Sequence, residues 1–341
     1  MRILEKIEEA ALVGRGGGAF PVATKWATVK KAVGDKKYII INASEGEPGV
    51  KKDEYILEHH LDEVLSGVKV ADEFIRAEAI YFYLNHNYFN KYKAKIKKNA
   101  KGFALDHKLK LFVKPKEHLY IGGEESAILN IIEGGVIEPR LRPPYPAECG
   151  LFNCPTLINN VETFYNVALA ERGDFYDFRF FTISGAASNI GVFNFPAKWT
   201  IKMVLQESGN YPNFPFFVQV GGDASGEVLN DSQLDRVVGG AGSIRIYDLD
   251  KHNSETLLRY WFEFFRKSSC GRCTPCREGT YRLQEMMESG KIDLEIFSQI
   301  LVNLETSSLC ALGASVPLPI YSYFKNILDN NLKKQNYAKR N

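Results

Sequence analysis

The stretch from Tyr38 to Gly49 reads Tyr-Ile-Ile-Ile-Asn-Ala-Ser-Glu-Gly-Glu-Pro-Gly. Its apolar run, Tyr38 to Ile41, predicts a buried strand, and a polar loop with two carboxylates, Glu45 and Glu47, follows directly. Open α/β sheets hold their ligands at the carboxyl ends of strands. The loop is therefore a candidate binding element, and a merely solvated loop is an equal alternative from these residues alone.

Strand-like and helix-like segments alternate on the carboxyl side of this stretch. They comprise a helical segment at 53–76, an apolar run at 80–84, a basic helical segment at 90–101, a strand at 110–113, and a run at 119–121 that leads into a helix ending near Gly134. This alternation predicts a doubly wound α/β layer, which we place at residues 1–176.

The pattern changes after this layer. Short β-like runs at 180–183, 216–220 and 244–247 lie between turns rich in Gly, Asn and Pro, and predict a small β domain at 177–250. Four helical segments follow, roughly 254–267, 278–289, 293–305 and 317–333. They predict a helical bundle at 251–341.

Charge and composition exclude several classes of protein. The chain has 43 basic and 41 acidic side chains, a formal net charge of +2, which provides no field to attract nucleic acid or an anionic membrane. No stretch is apolar enough for a transmembrane helix, and Met1 to Val13 has the acidic, helical pattern that a signal peptide lacks. We expect a cytoplasmic protein, in which six cysteines indicate metal or redox chemistry before disulfides.

Four cysteines have the spacing of a cluster site. Cys270, Cys273 and Cys276 form Cys-x2-Cys-x2-Cys, and Cys310 follows after 33 intervening residues. Three such thiols can hold three corners of a cubane and a distant fourth can close it, so the spacing favours [4Fe-4S]. A zinc site, which more often uses two Cys-x2-Cys pairs, and unliganded thiols are the alternatives. Cys149 and Cys154, in a Pro-rich loop, are expected to be ordinary side chains.

Two further loops are rich in glycine. Gly14-Arg-Gly-Gly-Gly-Ala-Phe-Pro21 follows a helix-like segment instead of a strand, so it does not meet the context that the Rossmann fingerprint requires. Its open amides, with Arg15 and Lys25 nearby, could still receive a phosphate or a flat ring, and a flexible turn is the alternative. Tyr120-Ile-Gly-Gly-Glu-Glu-Ser126 resembles a strand-to-helix turn, whose two carboxylates either serve a site or stabilise a helix N-terminus.

These motifs occur in order along the chain, together with Ile158-Asn-Asn-Val-Glu-Thr163 and Ser269-Cys-Gly-Arg-Cys-Thr-Pro-Cys-Arg-Glu-Gly279. Together they resemble the NADH-binding flavoprotein subunit of respiratory complex I and its relatives in NAD-linked hydrogenases and formate dehydrogenases. The resemblance implies a Rossmann-like FMN-binding domain, a ubiquitin-like domain of the β-grasp, SLBB type, and a helical bundle with one [4Fe-4S] cluster.

The resemblance also implies roles for individual residues, none of them in acid-base catalysis. The residues expected around FMN are Gly14, Arg15, Gly16, Gly17, Lys25, Asn42, Glu45, Tyr120, Gly123, Glu124, Asn159 and Asn160. Phe20 and Tyr145 resemble the aromatic residues that hold the adenine of NADH, and Glu47, Glu125 and Arg142 would line the nucleotide. Glu125 resembles the carboxylate that reads the adenosine ribose hydroxyls and repels the 2′-phosphate of NADPH.

The implied activity is hydride transfer from NADH to FMN, followed by single-electron transfer to the cluster and to a thioredoxin-like [2Fe-2S] partner subunit. The complex would be an NADH-quinone oxidoreductase, on the inner face of the cell membrane, with membrane contact only through the complex. A diaphorase subunit of a hydrogenase, formate dehydrogenase or bifurcating complex is the alternative. Ser44, where the family usually has Asp, and Thr28, where some members have an aromatic residue, motivate a third possibility, a relay subunit that has lost NADH binding.

Overall fold

The computed structural model describes residues 2–116 and 120–329. They form two compact units: Met1–Gly46 with Lys51–Phe178, and Glu47–Val50 with Arg179–Asn341, so far as these ranges are described. Within the described ranges, no helix combines the length and apolar character needed to cross a membrane.

A four-stranded parallel sheet forms the centre of the first unit. Its strands are β1 (Tyr38–Ala43), β2 (Ala79–Leu84), β3 (Leu109–Val113) and β4 (Thr156–Asn160), in the order β3-β2-β1-β4. The strands β1 and β2 are buried almost throughout, as expected of parallel strands that are covered on both faces. The α/β layer predicted from the alternating pattern is confirmed.

In the described part of the first unit, seven α-helices accompany this sheet. They are α1 (Ile3–Glu9), α2 (Val22–Lys31), α3 (Lys52–His59), α4 (Leu61–Ile75), α5 (His86–Gly102), α6 (Glu125–Ile132) and α7 (Val161–Arg172). The single helix predicted at 53–76 is two helices, because His60 takes a non-helical conformation (φ −132°, ψ 27°) between α3 and α4. Ile128, Leu129 and Ile131 of α6 pack against Tyr38 and Tyr81 on one face of the sheet.

One predicted strand is wrong. Ile121–Gly123 forms a 3-10 helix that leads into α6, and Tyr120 lies in a turn, because the chain turns at the two glycines instead of extending. Leu119, the first residue of the predicted run, lies outside the described residues. The described residues also contain α2, β4 and α7, which the sequence pattern did not predict.

The second unit contains a five-stranded sheet and the helix α8 (Ile201–Glu207). Its strands are β5 (Phe178–Gly185), β6 (Gly191–Pro196), β7 (Phe216–Val220), β8 (Glu227–Asn230) and β9 (Ser243–Asp248), in the order β6-β5-β9-β7-β8. The first and last strands, β5 and β9, pair in parallel, and α8 packs its buried Val204 and Leu205 against the sheet. This is a β-grasp arrangement, and the three predicted β runs are confirmed as β5, β7 and β9.

Helices follow the sheet in the described part of the second unit. They are α9 (Ser254–Ser268), α10 (Thr274–Ser289), α11 (Leu294–Ser307), α12 (Ala311–Ser315) and α13 (Pro317–Tyr323), continued by a π-helical turn, Phe324–Leu328. The first three predicted segments are confirmed; the fourth is α13 with its π turn, and its predicted end at 330–333 lies outside the described residues. The amide of Val228 in β8 donates to Ser322 Oγ (2.9 Å), so the last helix is bonded to the sheet. The three-domain division stays a prediction.

Candidate functional site

The candidate cofactor site lies at the carboxyl edge of the first sheet. There β1 and β4 pair Asn42 with Asn160 in register. Asn160 Nδ2 donates to the carbonyl of Asn42 (3.1 Å) and to Asp53 Oδ2 (2.8 Å), while its Oδ1 accepts from Lys52 Nζ (2.9 Å). These bonds fix the side chain of Asn160 at the strand end, where α/β sheets bind ligands.

The first glycine loop, Gly14–Pro21, lies against this edge of the sheet. The amide of Gly14 donates to the carbonyl of Phe20 (2.8 Å), which closes the loop. A Cβ at Gly16 would lie 3.4 Å from Asn160 Cβ, whereas Gly17, at φ +108°, faces open space. The buried Arg15 donates to Asp177 Oδ1 (2.6 Å). The main chain of this loop is therefore accessible to a ligand, because no side chain covers it. The Arg15 guanidinium is held in place by a carboxylate of the same unit.

The second loop, Asn42–Gly49, and the third loop, Tyr120–Ser126, meet at the same edge. Asn42 Nδ2 donates to the carbonyl of Gly123 (3.1 Å), and Asn42 Oδ1 accepts from the hydroxyl of Ser44 (2.7 Å). A Cβ at Gly123 would lie 2.7 Å from Ser44 Oγ, so the close approach of the two loops requires glycine there. Tyr120, partly buried, begins the third loop.

Four charged side chains form a group beside these loops. Glu124 caps α6 by accepting from the amides of Ser126 and Ala127 (2.9 Å each), so the helix-capping interpretation of this carboxylate describes one of its functions. Arg142 contacts Glu124 and lies 3.3 Å from Glu125. Lys25 Nζ lies 3.1 Å from Glu125 and donates to the carbonyl of Ile158 (3.2 Å). Glu125 therefore lies between two cations.

Two aromatic rings of the predicted nucleotide site are exposed. Phe20 is 52% and Tyr145 is 54% accessible, and Lys25 Nζ lies 6.0 Å from the Phe20 ring centroid. Exposed rings of this size offer stacking surfaces to a planar ligand. Asn159, in contrast, is buried, and its amide oxygen can accept from Trp26 Nε1 at 3.0 Å.

Glu47 is bonded within the second unit. Its carboxylate accepts from the amides of Ala224 (2.9 Å) and Ser225 (3.0 Å) and from Ser225 Oγ (2.8 Å). Burial raises the pKa of Glu47, although these three donors oppose the shift. The expected contact of Glu47 with the nucleotide stays a prediction.

The sequence pattern did not identify a buried ionic network beneath the loops. Lys52 Nζ contacts Asp53 Oδ1 (2.6 Å) and Glu162 Oε2 (3.2 Å), and the amide of Asp53 donates to Glu45 (3.0 Å). Burial lowers the pKa of Lys52, but the carboxylates of Asp53, Glu162 and Glu45 outweigh it and raise that pKa. Burial, with Asp53 adding to it, raises the pKa of Glu45 to about 7. The signal in the sequence is the adjacent pair Lys52-Asp53, which follows the polar loop after two intervening residues.

The four predicted cluster ligands lie at the ends of helices. Cys270 follows α9, Cys273 is the residue before α10, Cys276 lies in the first turn of α10, and Cys310 precedes α12. Gly271, at φ +79°, reverses the chain between the first two thiols, and its carbonyl accepts from Arg277 (2.9 Å). The N-terminus of α10 provides the partial positive charge that favours an anionic cluster.

The thiols are close enough to influence one another. Burial, with the charges of Cys273, Cys310 and Cys270 adding to it, raises the pKa of Cys276 to about 12. Such a thiol becomes a thiolate when a metal supplies positive charge, which fits an iron-sulfur ligand. Within the described ranges, no three His, Cys, Asp or Glu side chains are grouped so as to hold one metal ion. This absence is compatible with a [4Fe-4S] cluster. A cubane binds each thiolate at a different iron atom, so its four ligands lie farther apart than the ligands of a single ion.

Comparison with known proteins identifies the family. The model of the Nuo51 FMN-binding domain matches residues 7–169, and that of the NADH-ubiquinone oxidoreductase-F iron-sulfur binding region matches 256–331. The F subunit of NADH-quinone oxidoreductase from Streptomyces coelicolor is 33% identical over 95% of this chain and 80% of its own length. The chain belongs to the family of NADH-quinone oxidoreductase F subunits. The family member from Aquifex aeolicus is 29% identical over 92% of this chain and 81% of its own.

A solved structure agrees with this family assignment. A chain of an NAD+-reducing [NiFe]-hydrogenase in the H2-reduced state superposes with a TM-score of 0.88 and 28% identity over 95% of the present chain. The present chain spans 60% of that hydrogenase chain. The hydrogenase chain shares the fold described above, so the fold class expected from the sequence is confirmed.

Proposed function

We propose that this member of the F-subunit family takes hydride from NADH onto FMN and passes electrons singly to one [4Fe-4S] cluster and then to a partner subunit. The observation that carries the proposal is the meeting of three glycine-containing loops at the carboxyl edge of one parallel sheet. Asn42 joins two of them by its bond to Gly123 (3.1 Å), and Asn160 lies under Gly16 of the other. The same chain holds four cysteines with cluster spacing.

In this proposal FMN supplies the conversion between two-electron hydride chemistry and one-electron transfer. The chain's own residues would hold and orient the cofactor. Gly16 and Gly17 leave room for a ligand against the main chain, and the bonds of Asn42 to Gly123 and of Asn160 to Asn42 fix the loops around that room. The proposed reaction therefore needs no side chain that donates or abstracts a proton.

The proposed NADH site uses the charged group and the exposed rings. Phe20 and Tyr145 would stack on the adenine, and Glu125 would accept from the ribose hydroxyls. Lys25 and Arg142 hold that carboxylate between them at 3.1 and 3.3 Å, so its orientation is fixed. An ionised carboxylate at this place would repel a 2′-phosphate.

The proposed setting is an NADH-quinone oxidoreductase with a thioredoxin-like [2Fe-2S] subunit as the next carrier. We propose a cytoplasmic location, at the inner face of the cell membrane through the complex. A diaphorase subunit of an NAD-linked hydrogenase is a second candidate, which the TM-score of 0.88 with an NAD+-reducing hydrogenase chain favours. In both candidate complexes, electrons enter from NADH through FMN.

The test is anaerobic titration of the full chain, loaded with FMN and reconstituted with iron and sulfide. NADH should bleach the flavin absorbance, and saturable NADH binding would exclude a relay subunit without an NADH site. Absence of bleaching at full FMN and iron occupancy would overturn the proposal. Metal analysis that finds zinc and no iron would assign the cysteines to a structural site.

A further inference from the structure

Lys114 is a buried lysine that follows the last residue of β3, at the same carboxyl edge as the proposed flavin loops. It is 3% accessible, and its Nζ donates to the carbonyl of Ser44 at 2.7 Å. The side chain packs on the third loop, because its Cδ would lie 3.1 Å from a Cβ at Gly122. Lys114 therefore contacts the second and third loops together.

The electrostatic surroundings of Lys114 are those of a cation held in a poorly solvated place. Burial lowers its pKa to about 8, and Glu45, on the second loop, partly opposes the shift. The side chain is therefore still mostly protonated at neutral pH. An ammonium in such surroundings acts on nearby charge more strongly than one in water, because little solvent screens it.

Two other buried groups lie near this lysine. The hydroxyl of Tyr83 donates to the carbonyl of Gly122 (2.8 Å), so the main chain against which Lys114 packs is itself anchored to β2. The hydroxyl of Ser44 donates to Asn42 Oδ1 (2.7 Å), so the carbonyl that Lys114 holds belongs to a fixed loop. The ammonium is thus held at one place relative to both loops.

We propose that Lys114 is a positioning residue that supplies a fixed positive charge to the flavin site and thereby favours reduced over oxidised FMN. The proposal rests on the proposed function. A flavin gains negative charge on reduction, and a fixed cation nearby stabilises that charge.

The test compares Lys114→Gln with Lys114→Arg in the full chain loaded with FMN. Gln can still donate to Ser44 but carries no charge, whereas Arg keeps the charge. The dissociation constants of oxidised and reduced FMN and the midpoint potential of the bound flavin are measured for each. In Lys114→Gln we expect the preference for reduced FMN to fall about tenfold, which lowers a two-electron potential by about 30 mV. Lys114→Arg should stay close to the unmodified chain.

Lys110→Gln is the matched control, since Lys110 lies on the same strand and is exposed. It should leave the preference for reduced FMN unchanged. An equal preference for reduced FMN in Lys114→Gln and Lys110→Gln would overturn the proposal. An equal loss of that preference in Lys114→Gln and Lys114→Arg would also overturn it, because the shape of the side chain and not its charge would then be responsible. If the unmodified chain binds no FMN, the proposed function itself fails. That outcome differs from failure of the Lys114 proposal, in which the unmodified chain binds FMN and only the effect of the substitution is missing.

Discussion

Lys52 Nζ lies 3.2 Å from Glu162 Oε2, and both side chains are almost completely sealed from solvent. Asp53 Oδ1, at 2.6 Å, and Asn160 Oδ1, at 2.9 Å, complete the contacts of the ammonium. One buried cation therefore holds together the start of α3, the end of β4 and the start of α7. Burying charges is costly, and such a group is stable only while each charge keeps its partners.

Replacing Lys52 by Met should therefore lower the free energy of unfolding by about 3 to 5 kcal/mol, because Asp53 and Glu162 would stay buried without their cation. Urea unfolding of the FMN-free chain measures the change. Lys51→Met is the control, since the neighbouring Lys51 is 64% accessible and should contribute less than about 1 kcal/mol. Equal effects of the two substitutions would show that the buried network does not stabilise the fold.

The sequence predicted those elements whose signal is local. The strands β1 and β2 are continuous apolar runs, and α9 to α11 have clear helical periodicity. The strand β4 was missed because only Leu157 and Ile158 of its five residues are apolar, and its stability comes from pairing with β1, far away in the chain. Tyr120 and Ile121 were assigned wrongly because their apolar character suits a strand or a turn equally.

The sequence predicts the individual loops of the site but not how these loops contact one another. Taken alone, each loop has a structural alternative to a binding site: a flexible turn for the first, a solvated loop for the second, and a helix N-terminus with stabilising carboxylates for the third. The network around Lys52 was missed, since Glu162 and Asn160 lie more than a hundred positions further along the chain. The bond of Lys114 to Ser44 was missed for the same reason. Contacts between distant residues depend on the folded sheet, which no local pattern contains.

Gly67 should not tolerate a side chain. It lies in α4 where that helix crosses α7, and a Cβ there would lie 1.9 Å from the carbonyl oxygen of Phe164. Gly67→Ala should therefore force the helices apart and destabilise the chain by about 2 to 3 kcal/mol. Gly102→Ala, in α5 with open space around it, should be neutral or stabilising by up to about 1 kcal/mol. Thermal unfolding of both variants checks this, and unaltered stability of Gly67→Ala would contradict the close crossing.

Glu45 should make stability depend on pH. Its pKa is raised from 4.5 to about 7 in the folded chain, so the folded state binds more protons than the unfolded state between these values. Stability should then fall as the pH rises from about 4.5 to 7 and become level above it. In Glu45→Gln this part of the slope should be lost, with a gain of about 1 to 2 kcal/mol at pH 8. Glu73→Gln, at an exposed site in α4, should keep the slope, and an unchanged slope in Glu45→Gln would contradict the assignment.

Cys273→Ala should separate flavin reduction from electron transfer to the cluster. Cys273 is the residue before α10, and its loss removes one corner ligand of the proposed cluster. We expect the paramagnetic signal of the reduced cluster to disappear while NADH still bleaches the flavin. Cys149→Ala, outside the proposed ligand set, should retain both signals. A full cluster signal in Cys273→Ala would show that another residue is the ligand.

Glu125→Gln should change the choice between NADH and NADPH. Glu125 lies between Lys25 (3.1 Å) and Arg142 (3.3 Å), and Arg142 also contacts Glu124, so the two carboxylates together balance the two cations. The amide would keep a hydrogen-bonding group for the ribose but would no longer repel a 2′-phosphate, and the ammonium of Lys25 would lose its carboxylate partner and could attract one. We expect the ratio of kcat/KM for NADPH to that for NADH to rise at least about tenfold, which corresponds to about 1.4 kcal/mol. Glu9→Gln, an exposed change of the same charge in α1, should leave the ratio as it is. If Glu125→Gln lowers activity with both coenzymes equally and leaves the ratio constant, the ribose is recognised by another residue.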